Sequence, residues 1–187
     1  AASGGRASGG SSSGWAPGSR EYGRITVGLF LAGLATFALV YCTQPLLPLL
    51  ADDFGLTPAA STWSLSVTTL ALGVALLLFG PLSDAVGRLT LMLASVLVAA
   101  ILAVACSFAS EWGWLLAARG AMGFAVAGLP AVATAYLREE VDAASASAAT
   151  GLYIGGTAIG GMSGRLLTGL LADWPGWRAA MPAASCA

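Results

Sequence analysis

The sequence predicts an all-α integral membrane protein, and three observations carry that expectation. Hydrophobic residues make up 57% of the 187 positions and charged residues only 9%, with a mean hydropathy of +0.82, far from the balance of a soluble domain. The apolar residues fall into successive charge-poor runs, each long enough for the roughly 20 residues that a helix needs to cross a bilayer. Short polar segments punctuate those runs and hold most of the charge.

Residues 1–24 are rich in Gly and Ser, carry Arg6, Arg20 and Arg24, and lack apolar periodicity, so they read as a flexible tail. The first span runs from Ile25 to Leu50 without a charge. It is too long for a signal-peptide core and further spans follow, so it is expected to be an uncleaved helix. Near its end, Pro45 and Pro48 remove the hydrogen bonds to the carbonyls of Tyr41 and Gln44, exposing polar backbone within the membrane. Asp52 and Asp53 mark a wet loop before a second span, Ser61–Ser83, and a third, Leu89–Ser110.

Glu111, Trp112 and Trp114 mark the next interface. The fourth span, Gly113–Leu137, carries Arg119 within it, and the polar run from Arg138 to Asp142 leads to a fifth, Ala146–Leu171, crowded with glycine and carrying Arg165. After Asp173 and Trp174 the ten residues Arg178–Ala187 reach about 15 Å at about 1.5 Å per residue, half a crossing. A sixth helix is therefore expected to be cut short. Two units follow, 25–110 and 111–187, after the tail.

Composition excludes several functions. Histidine is absent, all eight basic residues are arginines and the net charge is −1. No basic patch suits nucleic acid, and no imidazole is available for metal ligation or acid–base work. Cys42, Cys106 and Cys186 show no ligand spacing. No nucleotide-binding loop occurs. Neither a cofactor nor a metal is expected, and no catalytic residue. With the N-terminus inside, the cytoplasmic side holds Arg6, Arg20, Arg24, Arg88 and Arg138 against Arg178 outside. Trp63, Trp112, Trp114, Trp174 and Trp177 then lie near the outer interface.

The most informative stretch is Gly80 to Arg88, GPLSDAVGR, between the second and third spans. Gly80 would let backbones approach closely, and Gly87 would permit the positive φ of a tight reversal. Asp84 and Arg88, four apart, can pair with each other or cap neighbouring helix ends. The pattern Gly80, Leu82, Asp84, Gly87, Arg88 resembles the loop signature between helices 2 and 3 of the major facilitator superfamily of membrane transporters. Ala85 and Leu89 stand where that family usually has further basic residues.

Gly169, Leu171, Asp173 and Gly176 repeat Gly80, Leu82, Asp84 and Gly87 after 89 residues. The repeating unit is three helices, so the second copy is inverted, as in the nested repeats of this transporter fold. Leu115, Arg119, Gly123, Val126 and Ala127 resemble a second signature of the family, whose arginine is linked there to substrate or proton coupling. Arg119 shares a helix face with Gly123, Pro130 and Thr134, which would leave space and free carbonyls beside it. Gly151, Gly160, Gly164 and Gly169 match the spacing of the family's antiporter motif, without its proline. Gly156, Gly160 and Gly164 also form consecutive small-xxx-small steps for close helix packing.

The resemblance implies the N-terminal half of a twelve-helix bacterial inner-membrane transporter, five complete spans plus a truncated sixth, built as 3+3 inverted repeats. It implies alternating access, a small-molecule substrate, protons as coupling ion, and the C-terminal half of the same protein as partner. The alternative from the residues is a non-transporting membrane scaffold or partner subunit. Tyr41, Gln44, Arg119 and Arg165 are the candidate substrate or coupling residues, expected to form one polar site in the outer half of the membrane. No Asp or Glu lies within the five spans, which favours a neutral or anionic substrate over a cationic drug.

Overall fold

A computed structural model of the chain describes residues 14–15 and 18–172. Helix α1 spans Arg20–Tyr41, and a 3-10 turn at Gln44–Leu46 leads into α2, Leu47–Asp53. The short α3, Pro58–Ser61, precedes α4, Trp63–Val86, and then come α5, Arg88–Ser107, α6, Trp112–Val126, α7, Gly128–Glu140, and α8, Ala143–Ala172. Four segments are long and apolar enough to cross a membrane: Arg20–Asp53, Pro58–Val86, Arg88–Ser107 and Trp112–Glu140. The 30-residue α8 is not among them, because glycines and hydroxyls dilute its apolar content. The expected count of five spans is thus met by four on length and composition among the described residues. The expected sixth helix, with Asp173, Trp174, Gly176, Trp177, Arg178 and Cys186, lies outside the described residues, as does Arg6.

Helix α1 begins earlier than the apolar run alone suggests. Ser19 caps it, its hydroxyl accepting the Tyr22 N–H at 3.1 Å, and Glu21 complements the positive helix end. Arg20 to Arg24, expected in a flexible tail, therefore form its first turn. Trp15 is held as well: its N–H donates to the Glu140 carbonyl at 2.8 Å, and its carbonyl accepts from Asp142 at 3.1 Å.

Two spans are broken where proline withholds a donor. Pro45 has no N–H for the Tyr41 carbonyl and its ring clashes with that group, so α1 stops at Tyr41. The fourth span, expected to be continuous, divides at Ala127 into α6 and α7. There Pro130 withholds the bond to Val126, beside the permissive Gly128.

The most extensive pairings are α1 with α8 and α4 with α6. Glycine makes both possible. A Cβ on Gly156 or Gly160 would overlap the carbonyl oxygen of Phe30 or Leu34, and one on Gly164 would lie 2.7 Å from the Ala38 Cα. The other seam sets Gly123 against the Thr68 backbone. Gly151 and Gly80 differ from expectation, since a Cβ on either meets nothing within 4 Å, and Gly169 makes only an ordinary 3.6 Å contact with Pro45. Of the glycines expected to pack α8, close approach belongs to Gly156, Gly160 and Gly164.

Outward faces of α4 and α5 present Leu70, Leu77, Leu93, Leu97 and Ile101, each at least 60% exposed, which suits hydrocarbon as the solvent. Three buried hydroxyls bond back to their own turns, Thr68 to Ser64, Ser95 to Leu91 and Thr168 to Gly164, whereas those of Ser107 and Tyr153 have no hydrogen-bond partner among the described residues. The first three therefore add no unpaired polar group.

The seam yields a prediction. Gly160→Leu should destabilise the bundle by about 1–3 kcal/mol or more through overpacking, while Gly151→Leu should be near neutral. Thermal unfolding of the detergent-purified variants checks this; equal melting temperatures would contradict the packing.

Candidate functional site

Arg119, on α6, is only 1% exposed. Its Nη1 donates to the Leu39 carbonyl at 3.3 Å and its Nη2 to the Val40 carbonyl at 3.0 Å, with the Met122 sulfur 3.8 Å from Nη1. Those carbonyls are available because of the break in α1. The Cys42 N–H closes the helical ladder on Ala38 at 2.9 Å, so the carbonyls of Leu39 and Val40, in the last turn of α1, are left without a helical N–H. The Cys42 thiol also reaches the Leu39 carbonyl, at 3.1 Å. Among the described residues no carboxylate pairs with Arg119, and its Nε has no partner. Backbone dipoles are its visible counter-charge, each charge-assisted bond contributing about 1.5–3 kcal/mol. Gly123, expected to leave room beside Arg119, is filled by the Thr68 backbone instead.

At the next residue of α1, Tyr41 meets Arg165 of α8. The guanidinium carbon of Arg165 stands 4.5 Å from the Tyr41 ring centroid. The Phe37 ring flanks Tyr41, centroids 6.2 Å apart and planes tilted by 37°. Gly161 lets that ring lie against α8, since a Cβ there would touch its edge at 3.3 Å. These side chains, with Thr157 and Met162, line an open cavity of about 250 Å³. Arg165 is exposed to it and pairs with no acid among the described residues.

The four expected site residues are therefore distributed in a definite way. Tyr41 and Arg165 are in contact, whereas Arg119 serves the carbonyls just before Tyr41 from the neighbouring α6. Gln44 opens the 3-10 turn, where its carbonyl accepts the Leu47 N–H, and no hydrogen bond joins it to either arginine among the described residues.

At the α4–α5 turn, Gly87 adopts φ +95°, a conformation that other residues rarely hold. It reverses the chain so that Arg88 faces two carboxylates, Asp84 at 3.6 Å and Glu139 of α7 at 2.7 Å. The Ser83 hydroxyl donates to the Gly80 carbonyl at 2.6 Å, tightening the helix end, and Leu82 points outward. The sequence reading missed Glu139. The signal was the Glu139–Glu140 pair in the loop that the arginine count sets on the same side as Arg88. Among the described residues no group of His, Cys, Asp and Glu is placed to hold a metal.

Comparison with known proteins agrees with this architecture. The Major Facilitator Superfamily model matches residues 29–186. Inner membrane transport protein YnfM of Escherichia coli (strain K12) is 46% identical over 169 residues, covering 90% of this chain and 40% of that protein. The uncharacterized MFS-type transporter YybF of Bacillus subtilis (strain 168) is 44% identical over 164 residues, covering 88% of the chain and 41% of that protein. Multidrug resistance protein MdtG of Proteus mirabilis (strain HI4320) is 33% identical over 159 residues, covering 82% of the chain and 38% of that protein. The chain spans about two fifths of the length of these relatives. With a family match over most of its length, multiple apolar helices and the glycine-turned Asp84–Arg88 loop, the chain belongs to the major facilitator superfamily of membrane transporters.

Proposed function

We propose that this chain is the N-terminal half of an inner-membrane secondary transporter that moves a small solute by alternating access, driven by protons. Its solute site is the cavity at Tyr41 and Arg165. The observation that carries the reading is Arg165 itself, a cation on a bundle helix, 4.5 Å from the Tyr41 ring centroid, with no acid beside it among the described residues. An arginine within a membrane costs about 2.5–3.5 kcal/mol on insertion scales, so its retention at a cavity points to use.

The other elements take supporting roles. Arg119 fixes the end of α1 through the carbonyls of Leu39 and Val40 and so sets the stance of Tyr41. Arg88, held between Asp84 and Glu139, ties the α4–α5 turn to the end of α7 as a cytoplasmic latch. The pairing of α1 with α8 and of α4 with α6 supports the 3+3 inverted repeat, because exchanging the two three-span units converts one pair into the other. The second half of the protein would complete the cavity and supply the body against which this one rocks.

Two outcomes follow. In the full-length protein, Arg165→Ala and Tyr41→Ala should abolish solute transport at unchanged membrane levels, measured as uptake or efflux of the transported solute in vesicles. Normal transport by both would remove the proposed site. For orientation, single cysteines at the exposed positions Ala85 and Ala59 should react oppositely with an impermeant thiol reagent added outside intact cells. Ala59→Cys should label and Ala85→Cys should not; the reverse pattern would invert the topology.

A further inference from the structure

We propose that the Tyr41–Arg165 cavity selects a small organic carboxylate, its charged group on Arg165 and its apolar or aromatic body against Phe37 and Met162. The inference rests on the transport reading above and assigns the substrate class of the same site.

The polar inventory of the cavity is lopsided. Arg165 brings only donors, and none of its N–H groups is engaged by a hydrogen bond or an ion pair among the described residues. Tyr41 brings a hydroxyl without a recorded hydrogen bond among those residues. The proton of the Thr157 hydroxyl is already spent on the Ile154 carbonyl, at 2.7 Å. Among the described residues no acidic side chain lines the cavity. A cationic solute would therefore meet a like charge with nothing to offset it, and a neutral one would leave the guanidinium uncompensated. An acceptor-only anion satisfies the set.

Geometry narrows the anion further. The guanidinium carbon lies 4.5 Å from the Tyr41 ring centroid, and its N–H donors stay free of hydrogen bonds and ion pairs among the described residues. Those donors form a planar fork, the match for a planar carboxylate taken bidentately. The contact with the ring also restricts the rotamers of Arg165 before the solute arrives, which lowers the cost of binding. The Phe37 ring and the Met162 thioether line the same cavity, polarizable surfaces suited to an apolar or aromatic body.

The test uses the purified full-length protein with benzoate, and with benzamide and benzylamine as its neutral and cationic isosteres. Binding is read by titration calorimetry, and melting without ligand verifies that each variant folds. Benzoate should bind and the two isosteres should not. Arg165→Gln should weaken benzoate by about 10- to 100-fold, the loss of one charge-assisted pair. Arg165→Lys, which keeps the charge without the fork, should recover only part of that. No benzoate binding overturns the carboxylate assignment. Benzamide binding as tightly as benzoate, both lost in Arg165→Gln, overturns the anion class and leaves the cavity as the site. Benzoate binding unchanged in both Arg165→Gln and Tyr41→Ala overturns the class and the site together.

Discussion

The hydrogen bonds from Arg119 to the carbonyls of Leu39 and Val40 solve two problems at once. In a bilayer an unpaired backbone carbonyl has no water to turn to, so a helix broken within the membrane needs another donor. A buried guanidinium without a carboxylate needs acceptors just as much. The end of α1 at Tyr41 creates the first need and the burial of Arg119 creates the second. Removing either partner would leave the other's polar group stranded, at about 1–3 kcal/mol for each unpaired group. That mutual dependence is why α1 can stop at Tyr41 and still be held in place.

The end of α1 in turn sets the cavity. Tyr41 is the last residue of the helix, directly after the carbonyl that Arg119 grips, so its ring is presented from a fixed backbone. Helix α8 reaches that ring because Gly156, Gly160 and Gly164 remove the side chains that would keep α1 at a distance. Arg165 follows Gly164 directly, so the seam that joins the helices also delivers the guanidinium to the aromatic face. Packing and site are one construction. The tail of the fourth span serves the other end of the molecule, where Glu139 meets Arg88 and the α7–α8 linker holds Trp15.

Much of this was legible in the sequence where a residue type admits few roles. Gly87 was expected to take a positive φ and does. The Pro45 break, the small-residue steps of α8 and the Asp84–Arg88 pair could each be read from spacing. Features that need three-dimensional partners could not. Gly123 looked like free space beside Arg119, because nothing in its neighbourhood announces that Thr68 packs there. Gly80 and Gly151 look like the packing glycines but face open space. The expectation of one site from Tyr41, Gln44, Arg119 and Arg165 rested on depth along the helices. Depth says nothing of azimuth, which is what puts Arg119 on backbone and Arg165 on the Tyr41 ring. The early start of α1 was hidden because Ser19 acts through its cap and the residues after it are charged.

The account stands or falls on whether the Arg119 guanidinium touches the end of α1. Solid-state NMR can measure that contact directly in bilayers, through rotational-echo dephasing between side-chain nitrogen-15 of arginine and carbonyl carbon-13 of valine. The structure predicts strong dephasing of the Val40 carbonyl, from the Nη2 to oxygen contact of 3.0 Å, and its disappearance in Arg119→Met. A valine carbonyl signal that does not dephase, or dephases equally in Arg119→Met, would contradict it.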